Sequence, residues 1–341
     1  MTALQDAIRA LADDGRVSDA QAAAALEVIL AGAATAAQIG AFLTGLRMQG
    51  EPPSLIAACL QVTQRHAEYV PADNVMDIVG TGGDGIDTFN VSTAAALVVA
   101  GAGVRVAKHG NRAASSKCGS ADVLEALGAR LDIGGARAAA IIDACGFCFL
   151  FAQRFHPAFR HVGPARRELG IRTIFNLLGP LANPAHPRRM LVGVSIRALG
   201  PVLAETFRLR GLDRVMVVHS AEGLDEISPA LPTQAWVVDG GPVVEMPLLP
   251  ETFGLLQHPL ERVAGGDAAE NAAIMNTVLG GERGAMRDFV LMNAAAALWV
   301  AGAAKDFMEG AHLAAESIDS GRARETLNRY VALSQEGAAG G

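Results

Sequence analysis

The amino-acid sequence predicts an α/β protein with a small, all-helical N-terminal domain and a largely parallel central sheet flanked by helices. Two features of the residue pattern support this fold class. The first ~70 residues show only helical periodicity, and short apolar runs alternate with helical segments from Asn74 onward. Composition agrees, since 51% of the 341 residues are hydrophobic and only 5% are aromatic. Such a chain can bury a sizeable core without a metal or disulfide to staple it.

Four helices are predicted in the N-terminal domain. Apolar residues recur on one face of the first helix, and Ser18 and Thr35 are placed to cap the second and third. Pro52 and Pro53 open the fourth helix at its first turn, where proline is tolerated. No strand-like alternation appears before Pro71, so we expect a compact helical unit.

The rest of the chain alternates between short apolar runs and helical patterns, which is typical of a parallel sheet covered on both faces. The strands are predicted at residues 75–79, 104–107, 147–151, 190–195, 214–219 and 235–238.

One helical stretch, at residues 156–169 and 172–178, interrupts this alternation, and we expect it to rejoin the N-terminal helices. The predicted helical domain is therefore 1–72 together with helices from about 165–185, and the α/β domain is 73–164 and 186–341. Pro180, Pro184 and Pro187 predict a loop or linker in this region.

The net charge of −7 argues against a general nucleic-acid binder or a protein that binds anionic membranes. The N-terminal residues lack the basic start and apolar run of a signal peptide, and the apolar runs are too short to span a bilayer. We expect a soluble, cytoplasmic protein that holds any anionic ligand by local arrangement.

Cysteine spacing raises one alternative function. Cys145 and Cys148 match the C-x-x-C spacing of redox proteins, but they enter the apolar run 147–151, which is predicted to be a buried strand. A redox pair would lie at an exposed helix N-terminus. We expect buried structural thiols, and a zinc site would need a second pair nearby.

The segment Gly80-Thr81-Gly82-Gly83-Asp84-Gly85 satisfies the G-x-G-x-x-G pattern of dinucleotide-binding proteins, but its context excludes that function. Asp84 lies inside the loop, and Arg105 and Lys108 stand where an acidic residue would hold the ribose. No Gly-Lys-Ser/Thr follows, so a P-loop is excluded as well. What remains is a glycine loop after a strand, where backbone N–H groups can approach an anion closely.

A polar segment, Asn90-Val91-Ser92-Thr93, begins the next predicted helix. Any of Asn90, Ser92 or Thr93 could cap this helix, and for the segment alone capping is the favoured interpretation. The alternative is a phosphate bound at the exposed N–H groups and the positive end of the helix dipole.

The segment 105–117 favours an anion site. It contains four basic residues, one histidine and no acid, in a chain that is acidic overall. Glycines and hydroxyl residues lie between the cations, as a site for a polyanion requires. The sequence therefore predicts an anion site here, since two glycine- and hydroxyl-rich loops each follow a predicted strand.

Four segments, 77–85, 90–93, 108–128 and 172–184, resemble the signature blocks of the anthranilate phosphoribosyltransferase family. The resemblance extends over nearly the whole chain. It implies a fold shared with pyrimidine nucleoside phosphorylases, with the active site in the cleft between the two domains. The implied activity is a glycosyltransferase (pentosyltransferase) step of tryptophan biosynthesis, which joins anthranilate to the phosphoribosyl group of phosphoribosyl pyrophosphate (PRPP). A homodimer formed through the helical domain is also implied.

The resemblance assigns roles to individual residues. Lys108 and His109 are the catalytic candidates, with the role of His109 left open between a base, a hydrogen-bond donor to phosphate and a structural ring. Anthranilate is implied to contact Gly80, Asn111 and Arg166, the last through its carboxylate. Cys118 stands where serine is more usual, which affects only a peripheral contact. The PRPP contacts implied are Gly80, Gly83, Asp84, Thr88, Asn90, Val91, Ser92, Thr93, Lys108, Gly110, Asn111, Arg112, Ala113, Ala114, Ser115, Ser116 and Ser120.

The adjacent acids Asp225 and Glu226 follow a predicted strand. Taken alone, an acidic pair in a loop is more often solvated surface than a ligand set. Two adjacent carboxylates can also bind magnesium, which combines few protein ligands with substrate phosphates. The resemblance implies the second role, with Mg²⁺ held by Asp225, Glu226 and Ser92.

Two rival functions share parts of this pattern. A pyrimidine nucleoside phosphorylase would use the same fold but needs no diphosphate site, and the segment 108–112 fits the transferase better. A non-catalytic relative that binds nucleic acid would need a basic stripe outside the cleft. We expect neither nucleic acid nor membrane as a partner, but anthranilate and PRPP.

Overall fold

The computed structural model describes residues 2–113 and 116–336. Ala114 and Ser115, two of the expected PRPP contacts, lie outside the described residues. The chain begins with four helices: α1 (Ala3–Asp13), α2 (Asp19–Leu30), α3 (Ala36–Gln49) and α4 (Pro53–Arg65). Ser18 and Thr35 accept hydrogen bonds from backbone N–H groups of the first turns of α2 and α3, as predicted.

A seven-stranded sheet follows. Its strands are β1 (Met76–Gly80), β2 (Val106–Gly110), β3 (Phe147–Phe151), β4 (Arg189–Gly193), β5 (Arg214–Ser220), β6 (Thr233–Asp239) and β7 (Val244–Leu248). The spatial order is β3-β2-β1-β4-β5-β6-β7. The first five strands pair in parallel and the last two antiparallel, so the predicted α/β class with a largely parallel sheet is confirmed.

The remaining α-helices lie between and after these strands in the chain. They are α5 (Val91–Gly101), α6 (Ser120–Ala126), α7 (Gly135–Cys145), α8 (Ala152–Phe155), α9 (Gly163–Leu169), α10 (Phe175–Leu181), α11 (Leu199–Leu209), α12 (Ala268–Leu279), α13 (Ala285–Ala301), α14 (Phe307–Asp319) and α15 (Arg322–Gln335). Within the described ranges, no helix combines the length and the apolar character that crossing a membrane requires.

Two apolar cores lie on opposite faces of the sheet. One contains α5 and α13, and the other joins the N-terminal helices to α10, α11 and the sheet. Helix α9 contacts α3, and helix α10 contacts α4. The segment between β3 and β4 therefore packs against the N-terminal helices.

Three local expectations were wrong. Strand β2 begins two residues later than predicted and runs through Lys108 to Gly110, because polar side chains in its second half hid the strand pattern. Pro180 lies in α10 instead of a loop, since it is the sixth of seven residues and removes little of the helical hydrogen bonding. Strand β7 was not predicted because it is an exposed edge strand containing Pro247, which only an edge tolerates.

The expectation for the C-x-x-C pair is confirmed. All four cysteines are buried free thiols, and Cys148 lies inside β3. Burial raises the pKa values of Cys145 and Cys148, so both favour the unreactive thiol form.

Candidate active site

The glycine loop follows β1 at the carboxyl edge of the parallel strands, where α/β proteins place their ligands. Gly80 ends the strand beside Asp225, and a Cβ added at Gly80 would lie 2.4 Å from Asp225 Oδ2. Gly82 and Gly83 adopt φ angles of 68° and 75°, which side-chain-bearing residues rarely adopt. The glycines are therefore required by a close approach and by backbone conformation.

Asp225 and Glu226 meet this loop from the β5–β6 connection. Asp225 Oδ2 accepts a hydrogen bond from the Gly82 amide at 2.6 Å, and Glu226 Oε2 accepts one from Thr88 Oγ1 at 3.4 Å. Asp225 is only 8% exposed, so the solvated-surface interpretation is wrong for this residue. The structure brings together the acidic pair, Gly80 and Thr88, as the resemblance implied.

Asp225 and Glu226 bring two carboxylates close together in a region with little access to solvent. Burial, followed by the charge of Asp84, raises the pKa of Asp225 to about 6. Burial and the neighbouring Asp225 raise the pKa of Glu226 well above its ordinary value. A divalent cation would relieve this repulsion and favour both charged forms, so the donor set fits magnesium. In residues 2–113 and 116–336, no group of three or more His, Cys, Asp and Glu side chains is arranged to hold a metal ion.

Lys108 reaches the same region from β2. Its side chain is 1% exposed, and Nζ donates to the carbonyl of Ile78 at 2.6 Å and lies 3.3 Å from Ser92 Oγ. Burial lowers the pKa of Lys108 to about 8, while the nearby carboxylates oppose this shift. The amine is still mostly an ammonium at neutral pH, and it is preorganised beside the N-terminus of α5.

The start of α5 departs from the favoured capping interpretation. Asn90 is the N-cap residue, yet in the described chain no side chain caps α5. The Asn90 amide instead donates to the carbonyl of Cys118 at 3.0 Å and accepts from Asn271 Nδ2 at 3.0 Å. The buried hydroxyl of Thr93 has no hydrogen-bond partner among the described residues. The N-terminal turn of α5 thus keeps polar groups available for an anion.

The loop after β2 is only partly arranged as expected. Arg112 is exposed and pairs with the acids of α6, donating to Glu125 Oε1 at 2.8 Å and to Asp122 Oδ1 at 3.0 Å. The amide of Ala113 also donates to Asp122, at 3.0 Å. In this arrangement, Arg112 and Ala113 are directed to α6, whereas Asn111 remains exposed. Ser120 is the first residue of α6, and Val91 is the first residue of α5. Ser116 is exposed. At Gly110, an added Cβ would lie 2.7 Å from the Phe149 ring.

His109 is buried at 2% exposure, and its ring lies 5.1 Å from the ring of His156. Burial, with a further contribution from His156, lowers the pKa of His109 well below its ordinary value. The imidazole is neutral at physiological pH.

Arg166, on α9, is partly buried. Its guanidinium lies 5.5 Å from the ring centroid of Phe175, and Nη2 donates to Asn176 Oδ1 at 3.4 Å. Burial lowers the pKa of Arg166 from its ordinary value. The side chain is held by α10 with donors still available for a carboxylate.

Sequence reasoning missed Arg172, which precedes α10. A Cβ added at Gly83 would lie 3.5 Å from Arg172 Nη1, so this guanidinium adjoins the glycine loop. Arg172 lies in the segment 172–184 that resembles the family, but no pattern in the sequence pairs it with a loop so distant in the chain.

Comparisons with known proteins agree with this geometry. The model of the glycosyl transferase family α/β domain matches residues 72–324, and that of the family's helical bundle domain matches residues 5–67. An anthranilate phosphoribosyltransferase from Thermomicrobium roseum is 51% identical, with 92% of each chain covered. One from Parvibaculum lavamentivorans is 49% identical over 97% of this chain and 98% of its own.

Solved structures give the same answer. The anthranilate phosphoribosyltransferase of Thermus thermophilus superimposes with a TM-score of 0.91 at 42% identity, covering 98% of this chain and 99% of its own. The Saccharomyces cerevisiae enzyme, solved in complex with PRPP and Mg, gives a TM-score of 0.89 at 32% identity, covering 97% of each chain. The chain belongs to the anthranilate phosphoribosyltransferase family.

Proposed function

We propose that this protein transfers the phosphoribosyl group of PRPP to the amine of anthranilate, giving N-(5-phosphoribosyl)anthranilate and diphosphate in tryptophan biosynthesis. The observation that carries the proposal is the meeting of a glycine loop, the buried Lys108, the buried Asp225 and the partly buried Glu226 at one sheet edge. Gly82 N–H to Asp225 and Lys108 Nζ to Ser92 Oγ define this meeting point. Such a site suits a diphosphate with its counter-cation.

The donor is held mainly by backbone and hydroxyl groups. N–H groups of the glycine loop and of the first turn of α5 are proposed to bind phosphate oxygens, because glycine lets the backbone approach an anion closely and the turn lies at the positive end of the helix dipole. Lys108 adds a positive charge beside the leaving diphosphate. The further donor contacts are those implied by the resemblance: Gly80, Gly83, Asp84, Thr88, Asn90, Val91, Ser92, Thr93, Gly110, Asn111, Arg112, Ala113, Ala114, Ser115, Ser116 and Ser120.

Asp225, Glu226 and Ser92 would hold the magnesium ion. When bound, Mg²⁺ supplies positive charge that stabilises the diphosphate as it leaves. The chain's own part is to keep both carboxylates fixed, Asp225 on the Gly82 amide and Glu226 on the Thr88 hydroxyl.

Gly80, Asn111 and Arg166 would hold anthranilate, with the guanidinium of Arg166 on its carboxylate. The amine nitrogen forms a bond to the anomeric carbon. The bond from that carbon to the diphosphate oxygen breaks, its electron pair leaves with diphosphate, and the nitrogen gives up a proton. An arylamine is neutral near pH 7, so positioning supplies much of the acceleration. His109, a neutral imidazole, stays a catalytic candidate, as a base or as a hydrogen-bond donor to phosphate.

The helical unit of 1–72, joined by helices from about 165–185, is proposed to form the side of the cleft that binds anthranilate. The contacts of α9 with α3 and of α10 with α4 support this boundary. We also propose a cytoplasmic homodimer formed through this unit, on the basis of family membership. Sedimentation equilibrium tests the dimer, and a monomer at micromolar concentration would overturn it.

The test of function is product formation from anthranilate and PRPP with Mg²⁺, compared with phosphorolysis of thymidine. Turnover of the first pair alone supports the transferase. Thymidine phosphorolysis without transfer would favour the pyrimidine nucleoside phosphorylase. A gel-shift titration tests nucleic-acid binding, which the net charge of −7 opposes.

A further inference from the structure

Strands β1 and β2 separate directly after their first paired residues. Their ladder contains one pair, Met76 with Val106, and the amide of Met76 donates to the carbonyl of Arg105 at 2.9 Å. On its other side, each strand pairs with its neighbour along five residues. The separation is therefore confined to the boundary between β1 and β2, and Lys108 lies at this boundary.

Beyond that pair, backbone groups of β1 and β2 face each other without bonding to each other. Three buried side chains form hydrogen bonds with these groups instead. In a parallel ladder, alternate residues direct both backbone groups toward the same neighbour, so these groups would otherwise join the strands. The side chains belong to Asp77, Lys108 and Asn183, and each is at most 1% exposed. We call this set the strand wedge. Its contacts are Asn183 Nδ2 to Ala107 O (2.7 Å), His109 N to Asp77 Oδ1 (3.1 Å) and Lys108 Nζ to Ile78 O (2.6 Å).

The wedge is internally connected. Asn183 Nδ2 also donates to Asp77 Oδ2 at 2.8 Å, and Asn183 Oδ1 accepts from the Ala185 amide at 2.8 Å. The orientation of the Asn183 amide is thus fixed on both sides. A buried polar network whose members are satisfied holds one geometry, because any shift leaves a donor or acceptor unpaired.

Asn183 also links the two sides of the site. It follows α10, which ends at Leu181 and carries Asn176, the partner of Arg166. The same short segment therefore contacts Arg166, which is proposed to bind anthranilate, and β2, the strand that carries Lys108.

We propose that Asp77 and Asn183 are positioning residues of the transferase, which hold β2 apart from β1 and so set where Lys108 meets the leaving diphosphate. This inference rests on the proposed function. Neither residue needs to touch a substrate, and their effect passes through the strand that carries Lys108.

Three variants test the wedge. Asn183→Asp places two carboxylates against each other, and Asp77→Asn places two amide donors against each other. The double variant Asp77→Asn/Asn183→Asp again sets one donor opposite one acceptor, although Ala107 loses its partner. Ser317→Ala is the matched control, because it removes another buried hydrogen bond, from Ser317 Oγ to Val98 O at 2.8 Å, away from the site.

We expect each single variant to lose about tenfold or more in kcat, with the KM for anthranilate changed by less than about twofold. The double variant should regain at least about threefold in kcat over either single one. Ser317→Ala should keep wild-type kcat. Urea unfolding identifies which variants are folded. The comparison of kcat needs only one folded single variant and the double variant.

Wild-type kcat in a folded single variant would overturn the wedge, as would a loss that the double variant does not regain. Binding of PRPP with Mg²⁺, measured by calorimetry, separates this result from the fate of the proposed function. A wild-type protein without transferase activity refutes the function. The strand wedge then still predicts that PRPP binds more weakly to the single variants than to the wild type and that the double variant recovers this binding. Wild-type affinity for PRPP in all three variants would refute the wedge.

Discussion

The carboxylate of Asp225 accepts a hydrogen bond from the backbone amide of Gly82 at 2.6 Å, although 143 positions separate the two residues. This contact joins the glycine loop after β1 to the acidic loop after β5. It fixes one of the two carboxylates proposed to hold magnesium directly beside the backbone proposed to hold phosphate. The proposed PRPP site and the proposed metal site are therefore parts of one structure.

Gly80→Ala should displace one carboxylate of the proposed metal site. The added Cβ would lie 2.4 Å from Asp225 Oδ2, so the carboxylate must move away from the glycine loop. We expect the Mg²⁺ concentration for half-maximal activity to rise about tenfold or more. The matched control is Gly241→Ala, where the added Cβ meets only the carbonyl of Asp239 at 4.0 Å. An unchanged Mg²⁺ requirement in Gly80→Ala would contradict the arrangement.

Arg166→Ala should separate the two substrates kinetically. Loss of a charge-assisted contact to the anthranilate carboxylate raises its KM roughly 10- to 100-fold, while the KM for PRPP changes little. Steady-state kinetics with each substrate varied in turn provide the measurement. The exposed neighbour Arg167 supplies the control, Arg167→Ala, which should leave both constants unchanged. Equal increases in both constants would show that Arg166 does not act on the acceptor.

His156 should make the fold sensitive to acid. Burial lowers its pKa from 6.5 to about 4, so below pH 6.5 the unfolded chain binds a proton that the folded chain does not. Stability is therefore lost as pH falls from about 6.5 toward 4, by about 2 kcal/mol between pH 7 and pH 5 from this residue. Urea unfolding at several pH values measures this change.

The His156→Gln variant should show a flatter dependence of unfolding free energy on pH than the wild type. The exposed His312 offers the control, His312→Gln, whose pH dependence should match that of the wild type. If His156→Gln unfolds with the wild-type slope between pH 7 and pH 5, the ring is protonated in the folded protein.

The sequence was informative where structure is set locally. Helical periodicity and caps such as Ser18 predicted the N-terminal helices, because a cap bonds to a backbone group three residues away. The glycine loop, the polar start of α5 and the basic segment after β2 were likewise visible as short patterns. Their convergence followed from the rule that parallel strands end at a common edge.

Contacts between distant segments could not be predicted from patterns. Asn90 was one of three residues that could cap α5, but its side chain accepts a hydrogen bond from Asn271, 181 positions away. Asn183 looked like part of a proline-rich linker, yet it bonds to Asp77 across 106 positions. Arg112, an expected PRPP contact, pairs with the acids of α6, and no short pattern indicated that pairing. Each outcome depends on which polar groups the packed fold brings within reach.

The Mg²⁺ dependence of phosphoribosylanthranilate formation, compared between the wild type and the double variant Asp225→Asn/Glu226→Gln, tests the central claim most directly. These isosteric changes remove both charges, and with them the repulsion by Asp225 that adds to burial in raising the pKa of Glu226 in the wild type. We expect a folded protein whose turnover falls about 100-fold or more and whose residual activity responds weakly to Mg²⁺. A double variant with the wild-type response to Mg²⁺ would contradict the site described for this protein.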